Sequence, residues 1–224
     1  MAYYINFKSI PLSKFEGKLT NAYLPPSRMV LKKNIQVIFG YFKEIGIENL
    51  HDLHQKLKNK QWRFEMETIG IFPSGYLNVL LREINSLHPK AQKLSEFTNI
   101  PKETADLLAK NNITDTFKLY EAALTPQSRL ELAYKTGIKL DMIEMLSCLA
   151  DLSRIKWVGP TFAMVLYKTG FQNVQKVANA IPAKMHTIIQ EQNQNKELFN
   201  GNIGLNDIKV CILAAKELSN DIEF

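Results

Sequence analysis

Apolar positions along the chain recur at helical spacing. Leu31, Ile35, Ile38, Phe39, Phe42 and Ile45 fall on one helical face, as do Ile143, Leu146 and Ala150, and then Ile208, Cys211, Ala215 and Leu218. A period near 3.6 marks an amphipathic helix that buries its apolar stripe. No stretch alternates apolar and polar residues in the way that predicts a half-buried strand. Pro25, Pro26, Pro73, Pro89, Pro101, Pro126, Pro160 and Pro182 mostly stand at helix starts or between helices, where the missing N–H and fixed φ are tolerated. The pattern predicts an all-α protein with these stripes as its core.

Segments of the chain repeat one another. Tyr41–Leu50, Leu107–Thr116 and Val165–Val174 superimpose without gaps, each reading as a helix end, then Gly or Asn, then an apolar residue and a second short helix. Gly46, Asn112 and Gly170 occupy the same place, and these residue types accept the left-handed conformation that ends helices. Their separations are 66 and 58 residues, which points to a unit of about 60 residues. Ile138–Leu146 also aligns with Ile203–Cys211, with Asp141 and Asn206 at expected N-caps. With a one-residue shift, Ile71–Leu77 opens the corresponding helix of the first unit. The third unit carries a polar insertion near residues 193–202, read as a loop. The expected organisation is tandem helical units over 1–90 (the basic one), 91–153 and 154–224, packed into one body.

At 224 residues, with 46% hydrophobic and 22% charged positions, the chain can build a folded core. Two cysteines, Cys148 and Cys211, cannot form a disulfide framework or a four-ligand zinc site. They sit on or beside the apolar stripes and read as small buried hydrophobes. No run approaches the roughly 18 apolar residues of a membrane span, and the first residues lack a signal-peptide pattern. A cytoplasmic location is expected, with no membrane partner. The formal charge is +6, and residues 1–60 hold ten Lys/Arg against four Asp/Glu, so the whole excess falls in the first quarter. Arg28, Lys32, Lys33, Lys43, Lys56, Lys58 and Lys60 make up most of it. Such an excess attracts phosphate or acidic surfaces, and equally serves solubility. Trp62, between Lys60 and Arg63, reads as a cap on the junction between units, or else as a stacking platform for a base.

One turn stands out from the helical spacing. Ile155-Lys156-Trp157-Val158-Gly159-Pro160-Thr161-Phe162-Ala163 has the look of a helix-hairpin-helix turn, apolar-x-Gly-apolar-Gly, between two helices. Glycine there lets a phosphate approach the backbone, and the N–H groups and dipole of the following helix hold it. Gly159 fills the second glycine position, while Trp157 fills the first and Thr161 stands where a polar donor is common. Trp157 is expected to plug an inter-unit seam rather than to meet solvent. In the second unit, Phe97-Thr98-Asn99-Ile100-Pro101-Lys102-Glu103 puts Asn99 and Pro101 at the glycine positions and an acid where the phosphate would sit. No matching turn is evident in the first unit.

Residues about 94–220, and above all Ala150–Ala163 with its Asp-Leu-x-Arg-Ile stretch, resemble a bacterial domain-of-unknown-function family built from helix-hairpin-helix-like (SAM-like) units. The resemblance implies the fold more than the activity; a nucleic-acid role for such a family rests on the hairpin alone.

Catalytic chemistry finds little support. His51 and His54 have a spacing that can share a metal, but no third ligand is near in sequence, and a solvated helix face is the simpler reading. No Ser or Cys has a nearby His in a triad-like arrangement, and no glycine-rich nucleotide loop is present. Asp151 and Arg154 can pair along a helix end, a contribution of about 0.3–0.5 kcal/mol if exposed. The expectation is a non-enzymatic protein without cofactor, metal or evident small-molecule substrate. The expected partner is a nucleic acid (DNA), held by its backbone without sequence preference. The expected site combines Lys156, Trp157, Val158, Gly159 and Thr161 with Arg28, Lys32, Lys33, Lys56, Lys58 and Lys60. The alternative is a protein-interaction or scaffold module whose degenerate hairpins only pack helices.

Overall fold

A computed structural model describes residues 3–97 and 99–224. The described residues contain no β-strand, only isolated bridges between Pro11 and Asn49 and between Lys93 and Asp115. The chain divides into two bodies. Asn6–Leu87 forms the smaller, with α1 (Leu12–Asn21), α2 (Ile35–Glu44), α3 (Leu50–Lys58), α4 (Lys60–Glu67) and α5 (Tyr76–Asn85), and with 3-10 turns at Phe7–Ser9 and Pro26–Lys32. The described residues of Met1–Ile5 join His88–Phe224 in the larger. It holds α6 (Lys102–Lys110), α7 (Thr116–Ala122), α8 (Pro126–Thr136), α9 (Leu140–Leu152), α10 (Pro160–Lys168), α11 (Val174–Ala178), α12 (Pro182–Gln192) and α13 (Leu205–Ala215). Here α9 packs on α7, α8 and α10, while α13 packs on α11 and α12. One continuous core runs through this body, from Tyr3 through Leu108, Leu146, Leu166 and Met185 to Ile222.

The apolar stripes are buried, except for Ile45 and the half-buried Leu218 beyond the end of α13. Leu31, Ile35, Ile38, Phe39 and Phe42 are in the core, as are Ile143, Leu146, Ala150, Ile208, Cys211 and Ala215. Ile45 is exposed, because α2 ends at Glu44 and the turn brings Ile47 into the core in its place. The half-buried ring of Trp62 tilts against Phe42 within the smaller body. Helices α9 and α13 begin two residues earlier than Asp141 and Asn206 suggested, with Lys139 and Gly204 as N-caps.

The three superimposable segments share one geometry. Gly46, Asn112 and Gly170 have φ of 81°, 63° and 91°. In each, the left-handed residue donates to the carbonyl three residues back and the next residue to the one five back, as Ile47 to Phe42, Ile113 to Leu108 and Phe171 to Leu166, at 2.9–3.0 Å. Such bonds satisfy the carbonyls that a helix end leaves open. Three residues on, Asn49, Asp115 and Asn173 each accept from a backbone N–H of α3, α7 or α11 at 2.8–3.1 Å.

The next backbone N–H shows where the third copy departs. Leu50 donates to the Ile10 carbonyl and Thr116 to the Gln92 carbonyl, both at 2.9 Å. Val174 instead donates to the Asp151 carboxylate at 2.8 Å, so a side chain stands in for a carbonyl. Asp151 and Arg154 are not an exposed pair; they are 2% and 1% exposed and 2.6 Å apart. Arg154 also donates from Nε to the Tyr3 carbonyl at 3.2 Å and from one terminal nitrogen to the Ser219 carbonyl and hydroxyl at 2.9 and 3.1 Å. The Tyr120 ring lies 4.5 Å below it. Burial of a charge on this scale is tolerable only because nearly every donor is answered.

Candidate nucleic-acid interface

The turn between α9 and α10 is anchored from below. Ile155 and Val158 are buried, and the Val158 N–H donates to the Ile155 carbonyl at 3.0 Å. Val158 is therefore a core anchor that cannot also reach a ligand. Trp157, at φ 68°, takes the left-handed conformation proper to glycine at this position. It does not plug a seam: 46% of it is exposed. The preceding Lys156 bends back so that its ammonium stands 4.3 Å from the centre of the Trp157 ring.

Gly159 then opens α10. Its φ of −88° and ψ of 179° are extended values that any residue adopts. A Cβ built there would meet nothing within 4 Å. Neither the backbone angles nor steric contact requires glycine at this point, although as an N-cap it is preferred over alanine. As the N-cap it offers no side chain to the helix, and Pro160 at the first position has no N–H. The first bond of the helix runs from the Ala163 N–H to the Gly159 carbonyl at 2.9 Å. Thr161 and Phe162 thus hold the N–H groups that a helix start leaves without an intrahelical acceptor, and the Thr161 side chain is exposed beside them.

The turn entering α6 differs. Pro101 is its N-cap, and Glu103 adds negative charge in its first turn. Thr98 of that run lies outside the described residues.

In the smaller body the basic residues part company. Arg28 pairs with the buried Glu83 and donates to the Ser86 hydroxyl at 3.1 Å, which makes it a structural residue and removes it from the site. Lys43 pairs with Glu16 at 2.8 Å. Lys33 is exposed and Lys32 half-buried, and they lead into Asn34, which has a φ of 51° and makes no side-chain cap at the start of α2. Because α2 and α10 lead into equivalent helix ends, Lys32 and Lys33 occupy the turn whose counterpart carries Lys156. Sequence reading found no such turn here, because Asn rather than Gly marks it. Lys56, Lys58 and Lys60 are exposed. The first two fall in the last turn of α3, where the helix dipole favours cations, and Lys60 opens α4. The segment carrying Lys32 packs on α1 and α5, whereas α3 packs on the Phe7–Ser9 turn, α4 and α5. The Lys156–Thr161 turn belongs to the other body.

His54 does not await a metal: its Nε2 bonds the Asn85 side-chain oxygen at 2.8 Å and its ring meets Phe7 edge-on. Among the described residues no three His, Cys, Asp or Glu are grouped to hold a metal ion. No helix among them is long and apolar enough to cross a membrane. Burial pushes both thiols, Cys148 and Cys211, up to about 12, so neither is a ready nucleophile at neutral pH.

Sequence reading missed Phe199, Ile203 and Asp207, which line a pocket together with Trp157 and Phe162. The available signal was the insertion at 193–202, an extra loop in the unit that carries Gly159.

These features define an all-helical protein with one bare, exposed helix start beside a lysine and a tryptophan. Residues 98–218 match the family model described as Domain of unknown function (DUF4332), which covers more than half of the chain, and the protein belongs to that family. No curated protein and no solved structure gives a significant match.

Proposed function

We propose that the protein binds the backbone of nucleic acid, DNA in the first instance, without reading its sequence and without catalysing a reaction on it. A phosphate would sit on the N–H groups of Thr161 and Phe162, with Lys156 beside it. The observation that carries this reading is Gly159, a glycine that neither backbone conformation nor packing requires, at the point where a phosphate would need to come closest. Lys32 and Lys33 at the start of α2 offer a second contact, and Lys56, Lys58 and Lys60 add attraction at longer range. With this reading goes a description of the chain as tandem helix-hairpin-helix-like units in a bacterial, cytoplasmic protein. The Pro101 and Glu103 turn favours the other reading for the second unit, as a hairpin that only packs helices.

Fluorescence anisotropy with single- and double-stranded DNA and RNA oligomers tests it. Log affinity should fall with log salt by about 0.9 for each phosphate neutralised on duplex DNA. Gly159→Ala should cost no more than about 1 kcal/mol of stability as an N-cap change, leave the protein folded at assay temperature and weaken binding, and Lys32→Glu with Lys33→Glu should flatten the salt slope. Full affinity in Gly159→Ala would remove the α10 turn from the interface, and no binding at low salt would overturn the reading.

A further inference from the structure

The backbone-binding turn is also one wall of a pocket. Between α10, the loop after α12 and α13 lies an open space of about 400 Å³. That is at the lower end of the roughly 300–1,000 Å³ of small-ligand sites. Trp157, Phe162, Phe199, Ile203, Val210 and Cys211 supply apolar walls. The loop wall is held in place by its own bonds. Asn193 donates to the Phe199 carbonyl at 2.8 Å and accepts from the Leu198 and Phe199 N–H groups at 3.0 Å each. His186 Nε2 bonds the Ile203 carbonyl at 3.0 Å.

Charge selects the occupant. From α13, Asp207 brings a carboxylate into the lining, one oxygen of which accepts from the Gly204 N–H at 2.9 Å. A second anion is unwelcome beside it, whereas Lys156 and the bare start of α10 attract one. The pocket therefore suits a flat, uncharged group attached to an anionic chain. We infer that it receives an unpaired nucleobase, stacked on Trp157, from a single strand whose phosphate rests at the start of α10. This rests on the backbone-binding reading of the same turn and deepens it, since bases held in a duplex cannot enter. Single-stranded DNA or RNA, or a frayed end, is then the preferred ligand.

The test uses the full chain with Trp62→Phe, which leaves Trp157 as its only indole. The probes are an oligodeoxyadenylate, an abasic strand of equal length and a blunt duplex. Stacking predicts that the adenylate strand quenches Trp157 emission and binds about tenfold more tightly than the abasic strand. Trp157→Gly, which suits the left-handed backbone, should abolish that difference while leaving abasic binding intact. Phe199→Ala, on the loop wall, should reduce it as well. Equal, salt-sensitive binding of the base-bearing and abasic strands would overturn the base pocket and leave the backbone reading standing. A duplex bound as tightly as the adenylate strand would also overturn it. Failure of every probe to bind would bring down both.

Discussion

Trp157 holds a conformation that costs an L-residue roughly 1–2 kcal/mol over its right-handed alternative. The Lys156 ammonium on its ring returns about 0.5–1 kcal/mol at an exposed site. The balance is a net cost of up to about 1.5 kcal/mol, so folding alone gains nothing from tryptophan there. His54 is a clearer case of one residue setting a stability term. Desolvation by burial lowers its pKa below the usual value near 6.5, with the Asn85 bond opposing. A group depressed in the folded state binds fewer protons than it does when unfolded, so its contribution is present above about pH 6.5 and is lost as pH falls through the folded value. We expect the smaller body to melt at lower temperature at pH 5 than at pH 7.5, with His54→Gln flattening that dependence. A His54 NMR titration near or above 6.5 would contradict it.

At the scale of elements, the helix ends were legible because their chemistry is local. Gly46, Asn112 and Gly170 mark a left-handed closure, and Asn49, Asp115 and Asn173 mark the cap that follows. Gly170→Ala, at φ 91°, should cost about 1–2 kcal/mol, measured by denaturant unfolding, even though a Cβ there would meet no neighbour. An unchanged midpoint would show that the closure tolerates a side chain. What spacing did not reveal depends on partners distant in the chain. Arg28 and Lys33 look alike in a charge count, yet only one faces a buried glutamate. The exposed ring of Trp157 was likewise hidden, since its neighbours Phe199 and Ile203 come from a loop whose path no period sets. The pocket needs three separate elements, and although the sequence showed each of them, it did not show that they meet.

At the scale of the molecule, the smaller body is continuous in sequence and interrupts the larger one, which draws on residues 3–5 as well as 88–224. The family-matched stretch, 98–218, omits Tyr3, Leu94, Ser219 and Ile222, all in or against the core or bonded to Arg154. A fragment limited to 98–218 would leave the buried guanidinium short of three acceptors, and breaking such an arrangement costs about 3–5 kcal/mol. We expect that fragment to unfold well below the full chain by calorimetry, with Arg154→Met in the full chain recovering less than wild-type stability. A fragment as stable as the whole would mean that Arg154 needs neither end.

Arg154 also sets an order of events during synthesis. Residues 6–87 can fold as soon as they leave the ribosome, but Tyr3 must wait for Ser219 and Ile222. At about 5–20 residues per second that delay is about 10–40 s. From the time each is made until Ile222 emerges, the apolar residues that will surround Arg154 lack part of their core, so the newborn larger body exposes apolar surface that the finished protein covers.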